Sequence, residues 1–114
     1  MIQVDYFMSH GSPWTFLGHK RLGEIIKKYK VKLNMLPVNY GEIFPISGGL
    51  PVSKRPGQRQ KIRLQELKRW SKFLDINLIP QPTSFPSKSM LPSLLIIASQ
   101  IMKTNKDFEL AHNI

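Results

Sequence analysis

The first 36 residues constrain the fold more than any other stretch, because they read as strand, helix, strand with almost no spare chain between them. Ile2, Val4, Tyr6 and Met8 alternate with Gln3, Asp5 and Phe7, the period of two expected of a strand covered more fully on one side. Ser9-His10-Gly11-Ser12 then interrupts the pattern. Ser12 followed by Pro13 predicts a helix start: a hydroxyl suited to the N-cap, then a proline at the first helical position, where its missing amide hydrogen is not needed. Trp14, Gly18, Leu22, Ile25 or Ile26, and Tyr29 recur at spacings of three and four, which predicts one buried helical face. Lys27, Lys28 and Lys30 crowd the helix end, favourable for its dipole. Val31, Leu33 and Met35 then alternate with Lys32 and Asn34 as a second strand. A helix joining two strands at this length is a right-handed crossover between parallel neighbours, so both strands belong to one sheet.

The rest of the chain reads as helical. Gly41, Pro45, Gly48, Gly49, Pro51, Pro56 and Gly57 break every regular pattern between positions 40 and 57, predicting an irregular loop. A helix is expected from Gln58 to Leu74 with Leu64, Leu67, Trp70 and Leu74 as its apolar stripe, followed by a proline-rich connector from Asp75 to Ser89. Met90 to Met102 is apolar nearly all round, which places it at the centre of a helical cluster. A last periodic segment runs from Asp107 to Ile114. The fold class is therefore α/β, a β-α-β start over residues 1–38 followed by a loop and helical insertion over residues 39–114. Two parallel strands and one covering helix leave open sheet edges, so the sequence reads as part of a larger sheet whose C-terminal half lies outside it.

The 114 residues contain no cysteine, which excludes disulfides, Cys-based zinc sites and thiol redox chemistry by the protein's own side chains. Any sulfur chemistry needs a borrowed thiol. Seventeen Lys plus Arg against seven Asp plus Glu give a net charge of +10, pointing to anionic partners. Eight of the basic residues lie between Lys54 and Lys72, with Glu66 the one acid among them. A nucleic-acid-binding face would use such charge, but no helix-turn-helix, zinc-finger or RNA-binding signature accompanies it, and Trp70 is the only aromatic in the segment. The longest strictly apolar run, Leu94 to Ala98, is far below the ~20 residues that span a bilayer. Polar Gln3 and Asp5 stand where a signal peptide would be apolar, so a cytoplasmic location is expected.

Ser12 is the leading candidate for chemistry. A helix N-terminus carries partial positive charge and unpaired amide hydrogens, which suits it to hold an anion or a thiolate. A plain N-cap is the competing use of the same residue. The order of strand, Ser12-Pro13-Trp14-Thr15, helix, strand and helical insertion resembles the opening of thioredoxin-like proteins of the DsbA type, with Ser in place of the first Cys. More narrowly, several segments resemble 2-hydroxychromene-2-carboxylate isomerases, relatives of the kappa-class glutathione transferases. They are Tyr6-Phe7, Ser12 to His19, Leu36-Pro37-Val38, Gly41-Glu42-Ile43-Phe44, Ser47 to Pro51, Lys54-Arg55, Arg59-Gln60, Glu66 to Trp70, Phe85-Pro86 and Ile96 to Gln100.

This resemblance implies a glutathione-dependent isomerase in which the Ser12 hydroxyl hydrogen-bonds the sulfur of bound glutathione and favours its thiolate. The thiolate would add reversibly to the hydroxychromene, open its ring, allow rotation and leave. It also implies that Arg59 contacts glutathione and that Gly49 stands where many kappa-like members carry a glutathione-touching Asn. The partners implied are glutathione and a small aromatic carboxylate, in a protein that commonly forms homodimers. In the family a later half supplies a cis-proline loop, the remaining strands and a final helix, so little activity is expected of these residues alone. Trp14 fits either the substrate pocket or the core. His10 fits the pocket, as a group that titrates near neutral pH, or a turn facing water. His19 and His112 are given no role, and Lys88 reads as a solvated loop lysine. The alternative function is a catalytically silent thioredoxin-like interaction module.

Overall fold

The computed structural model describes residues 1–113. Its elements are β1 (Gln3–Met8), α1 (Pro13–Tyr29), β2 (Lys32–Pro37), α2 (Tyr40–Ser47), a single 3-10 turn (Val52–Lys54), α3 (Gly57–Leu74), α4 (Met90–Ile101) and α5 (Asp107–Asn113). β1 and β2 pair in parallel, from Gln3 opposite Lys32 to Met8 opposite Pro37, with α1 as the crossover. Register is reinforced on one face, where Asn34 Nδ2 donates to the carboxylate of its partner Asp5 at 3.0 Å. On the other face Met8 and Met35 are each 1% exposed. The expected β-α-β start is therefore present, and the sheet has two strands among the described residues.

The core is small and strung between layers. Leu17 of α1, Leu67 of α3 and Ile96 of α4 join the two methionines as its fully enclosed apolar side chains. α1 packs on α3, and α4 packs on both β2 and α5. The α4 contact is fixed by a polar link: the Gln100 side-chain amide donates to the Met35 carbonyl at 2.9 Å and to the Asp107 carboxylate at 3.0 Å. One side chain thus ties the sheet, α4 and the start of α5. α5 also reaches α1, where the Phe108 ring stacks on His19 with centroids 3.9 Å apart. Gly23 permits that approach, since a Cβ there would lie 3.0 Å from the ring.

Four expectations are corrected. The segment 40–57 is not irregular throughout, because α2 occupies Tyr40–Ser47. Asn39 caps it by accepting from the Gly41 amide at 3.0 Å, Glu42 sits in its first turn, where a carboxylate favours the helix dipole, and Tyr40 stacks on Phe44 one turn later. Gly48 ends it at φ 78. These local gains outweigh Pro45, which lies inside the helix. Second, the face of α1 expected to be buried is turned partly outward: Trp14, Ile25 and Tyr29 are exposed, and Leu17 and His19 are the enclosed residues. Third, α4 is not central. Only Ile96 and Ser99 on it are buried, while Leu91, Leu94 and Ile101 are more than half exposed, because β2 and α5 cover it along one side. Trp70 likewise leaves the α3 stripe and is 44% exposed.

The consequence is a large surface. A compact monomer of 13.2 kDa exposes about 6,400 Å², whereas this chain exposes 8913 Å². The radius of gyration, 15.2 Å, exceeds the ~13 Å of a compact chain of this length. No helix among the described residues is long and apolar enough to cross a membrane.

α1 ends with Lys30 at φ 51 and ψ 46, the left-handed conformation that glycine adopts without Cβ strain. Replacing it (Lys30→Gly) is expected to stabilise the fold by roughly 0.5–1 kcal/mol, read as a rise of a few degrees in thermal melting followed by circular dichroism. An unchanged or lowered melting temperature would contradict this account of the cap.

Candidate functional site

Where β1 ends and α1 begins, the chain makes a tight turn that fixes Ser12. The Ser12 amide donates to the Ser9 carbonyl at 3.1 Å, and the Ser9 hydroxyl accepts from the Gly11 amide at 3.3 Å. Ser9 is itself buried, so the turn is held from inside. Ser12 adopts extended backbone geometry, and its hydroxyl oxygen accepts from the Thr15 amide at 3.4 Å, a long contact by hydrogen-bond standards. Pro13 follows at the helix start. Ser12 is therefore a true N-cap, but capping uses only a lone pair of the oxygen. Its O–H remains available to donate.

Ser12 lines a cavity of about 520 Å³, within the range typical of small-molecule sites. The N-terminus of α1, the middle of α3, the connector from Leu78 to Ser89 and the end of α5 line it. Its walls are apolar at Leu78, Ile79, Pro80, Pro82 and Phe85. Its charged side chains are Arg63 and Lys88, and no Asp or Glu lines it among the described residues. The Arg63 guanidinium lies over the Phe85 ring, 5.0 Å from the centroid. Burial and the nearby Arg55 hold its pKa below the usual value.

Three histidines surround the same space: His10, His19 and His112. His19 is 6% exposed and stacks with Phe108 and with His112, whose ring centroid is 5.2 Å away. Burial, reinforced by the neighbouring His112, lowers the His19 pKa. Burial also lowers that of His10, and neither of its ring nitrogens has a hydrogen-bond partner. His10 is therefore neutral near pH 7 and is not bonded to Ser12. Without a base engaged with it, Ser12 is not an activated nucleophile; it is a hydroxyl donor. Burial likewise raises the Tyr6 phenol, keeping it neutral.

The structure brings Ser12 and His10 together at the cavity and leaves the other sequence candidates outside its lining. Trp14 is 43% exposed. Arg59 is exposed, at the first turn of α3, with its amide bonded to the Pro56 carbonyl. Gly49 packs so closely on Phe44 that a Cβ would meet the ring at 2.6 Å, so an Asn there would require Phe44 to move. Of the other lining residues, sequence reading set aside Lys88, His19 and His112 and did not single out Arg63 or Phe85 for the site. Arg63 had a signal, since it stands one helical turn beyond Arg59 and about 40° round the axis; the others depend on the path of the connector and on the docking of α5.

The family model of the DSBA-like thioredoxin domain matches residues 3–113. The chain therefore belongs to the DSBA-like thioredoxin family, a group that includes oxidoreductases and isomerases. Comparison with curated proteins and with solved structures gives no match.

The two buried imidazoles link stability to pH. Their folded pKa values lie below those of the unfolded chain, so stability is complete above about pH 6.5 and falls on acidification as the unfolded chain takes up protons first. His19→Phe, which retains an aromatic partner for Phe108, should flatten the fall. Thermal melts from neutral to mildly acidic pH test this; an acid-insensitive wild type, or a variant with the same slope, would contradict it.

Proposed function

We propose that this protein is a glutathione-dependent isomerase of the 2-hydroxychromene-2-carboxylate type, with Ser12 as the donor to the glutathione sulfur. The observation that carries this reading is the free O–H of Ser12 at a helix N-terminus, on the wall of a cation-lined cavity without carboxylates in a chain with no thiol of its own. A site that served the protein's own redox chemistry would need a cysteine at this turn. Glutathione, when bound, supplies a thiol whose anion adds reversibly to the chromene, opening the ring for rotation before it leaves.

The chain's residues provide the setting for that chemistry. Ser12 donates to the sulfur while its oxygen still accepts from the Thr15 amide, so the helix dipole and the hydroxyl act on the same charge. Arg63 and Lys88 make the cavity electropositive, which favours entry of the tripeptide and of an anionic aromatic substrate. The apolar residues from Leu78 to Phe85 offer contact surface to a flat substrate. Arg59, set one turn before Arg63 at the outer end of α3, and Gly49 remain proposed contacts for the tripeptide's outer parts. Trp14 and His10 remain proposed for the substrate side.

A second reading is an interaction module without catalysis, favoured by the exposed apolar residues of α4. Calorimetry separates the two: heat on adding millimolar glutathione supports the enzyme, and its absence supports the module. The decisive variant is Ser12→Ala in a full-length parent protein that carries these residues, expected to lower isomerase turnover by about tens to thousands-fold, the range for loss of one oriented donor, while glutathione affinity changes much less. Turnover equal to wild type would remove Ser12 from the mechanism.

A further inference from the structure

α3 is a basic helix, but its cations are not equivalent. Lys61, Lys68 and Lys72 are exposed, and Arg69 is paired with Glu66 at 3.0 Å. Arg63 is half-buried and lines the cavity. Among the described residues it has no ion-pair partner. Among the described residues its one specific contact is the Phe85 ring, 5.0 Å from the guanidinium carbon, which leaves its N–H donors without hydrogen-bond partners. A partly desolvated guanidinium with free donors gains from an opposite charge. Lys88 adds a second cation to the same cavity, and no acid there balances either.

We propose that Arg63, seated on Phe85 and supported by Lys88, forms a carboxylate-binding subsite in the cavity that Ser12 lines. The planar fork of an arginine matches a carboxylate with two parallel hydrogen bonds, and the stack on Phe85 presets its orientation, so less freedom is lost on binding. Leu78, Ile79, Pro80 and Pro82 supply an apolar wall for the skeleton that bears the carboxylate. This subsite rests on the same cavity as the proposed isomerase function, but it needs neither Ser12 nor a thiol. Two sources of carboxylate suit it: the tripeptide, or a flat unsaturated acid acting as its acceptor.

Calorimetric titration of the protein with trans-cinnamate, cinnamamide and S-methylglutathione tests the subsite and identifies its source. At least one of the two acids should bind. Arg63→Gln should weaken that acid tenfold or more, the effect of removing a charge-assisted pair, with Arg63→Lys falling between and Arg69→Gln unchanged. A loss confined to cinnamate assigns the subsite to the acceptor, a loss confined to S-methylglutathione assigns it to the tripeptide, and a loss of both shows that it serves either. Should Arg63→Gln fail to fold, the wild-type protein still decides: the acid must bind, and if it is cinnamate it must bind tenfold or more tightly than cinnamamide. Unaltered affinity for both acids in Arg63→Gln, equal affinity for cinnamate and its amide, or no binding of either acid would overturn the proposal. None of these readouts depends on thiolate formation, so a failure of the isomerase reading at Ser12 is seen separately.

Discussion

The parallel pairing of β1 with β2 is the constraint on which the site depends. Because the strands run the same way, the chain must return over the sheet through α1, and the turn between β1 and α1 falls where the last ladder residue, Met8, is fully enclosed. Four residues separate that anchor from Pro13. The Ser9 carbonyl and hydroxyl bind the amides of Ser12 and Gly11, leaving Ser12 little choice of position. On the opposite side of the pair, Gln100 binds the carbonyl of Met35, the residue opposite Tyr6. The same ladder therefore locates the helix tip and the α4–α5 unit that line the cavity.

Electrostatics gives this placement its chemical meaning. The cavity holds a helix dipole, a hydroxyl donor and two cations, while burial keeps His10 and His19 neutral. Every fixed charge there is positive, and none has a protein counter-charge among the described residues. Such a cavity is better suited to an anionic guest than to an internal catalytic base. It also explains why a serine suffices: a hydroxyl that stabilises a guest's charge does not need to lose its own proton.

The fold was legible where a local pattern and a tertiary requirement agreed. Alternation through Met8 and Met35, the Ser12-Pro13 start and the stretch ending at Leu74 each marked an element that formed. Reading failed at α2, where Gly41 and Pro45 were weighed as breakers and the Asn39 cap, Glu42 and the Tyr40–Phe44 stack were not. It failed for α1 and α4 because a helix with apolar residues on several faces does not announce which face its neighbours will cover. Of the site, Ser12 was visible because capping is local. Arg63, Phe85 and Lys88 were not, since their meeting depends on how the proline-rich connector folds back over α3, and no periodicity encodes that path.

The central claim is that the Ser12 hydroxyl and the α1 dipole stabilise a guest thiolate, and the ionisation of that thiol reports it directly. Ultraviolet titration of the thiolate absorbance should show protein-bound glutathione ionising at lower pH than free glutathione, with much of that shift lost in Ser12→Ala. A bound thiol that ionises as it does in free solution, or an equal shift in the variant, would contradict the account.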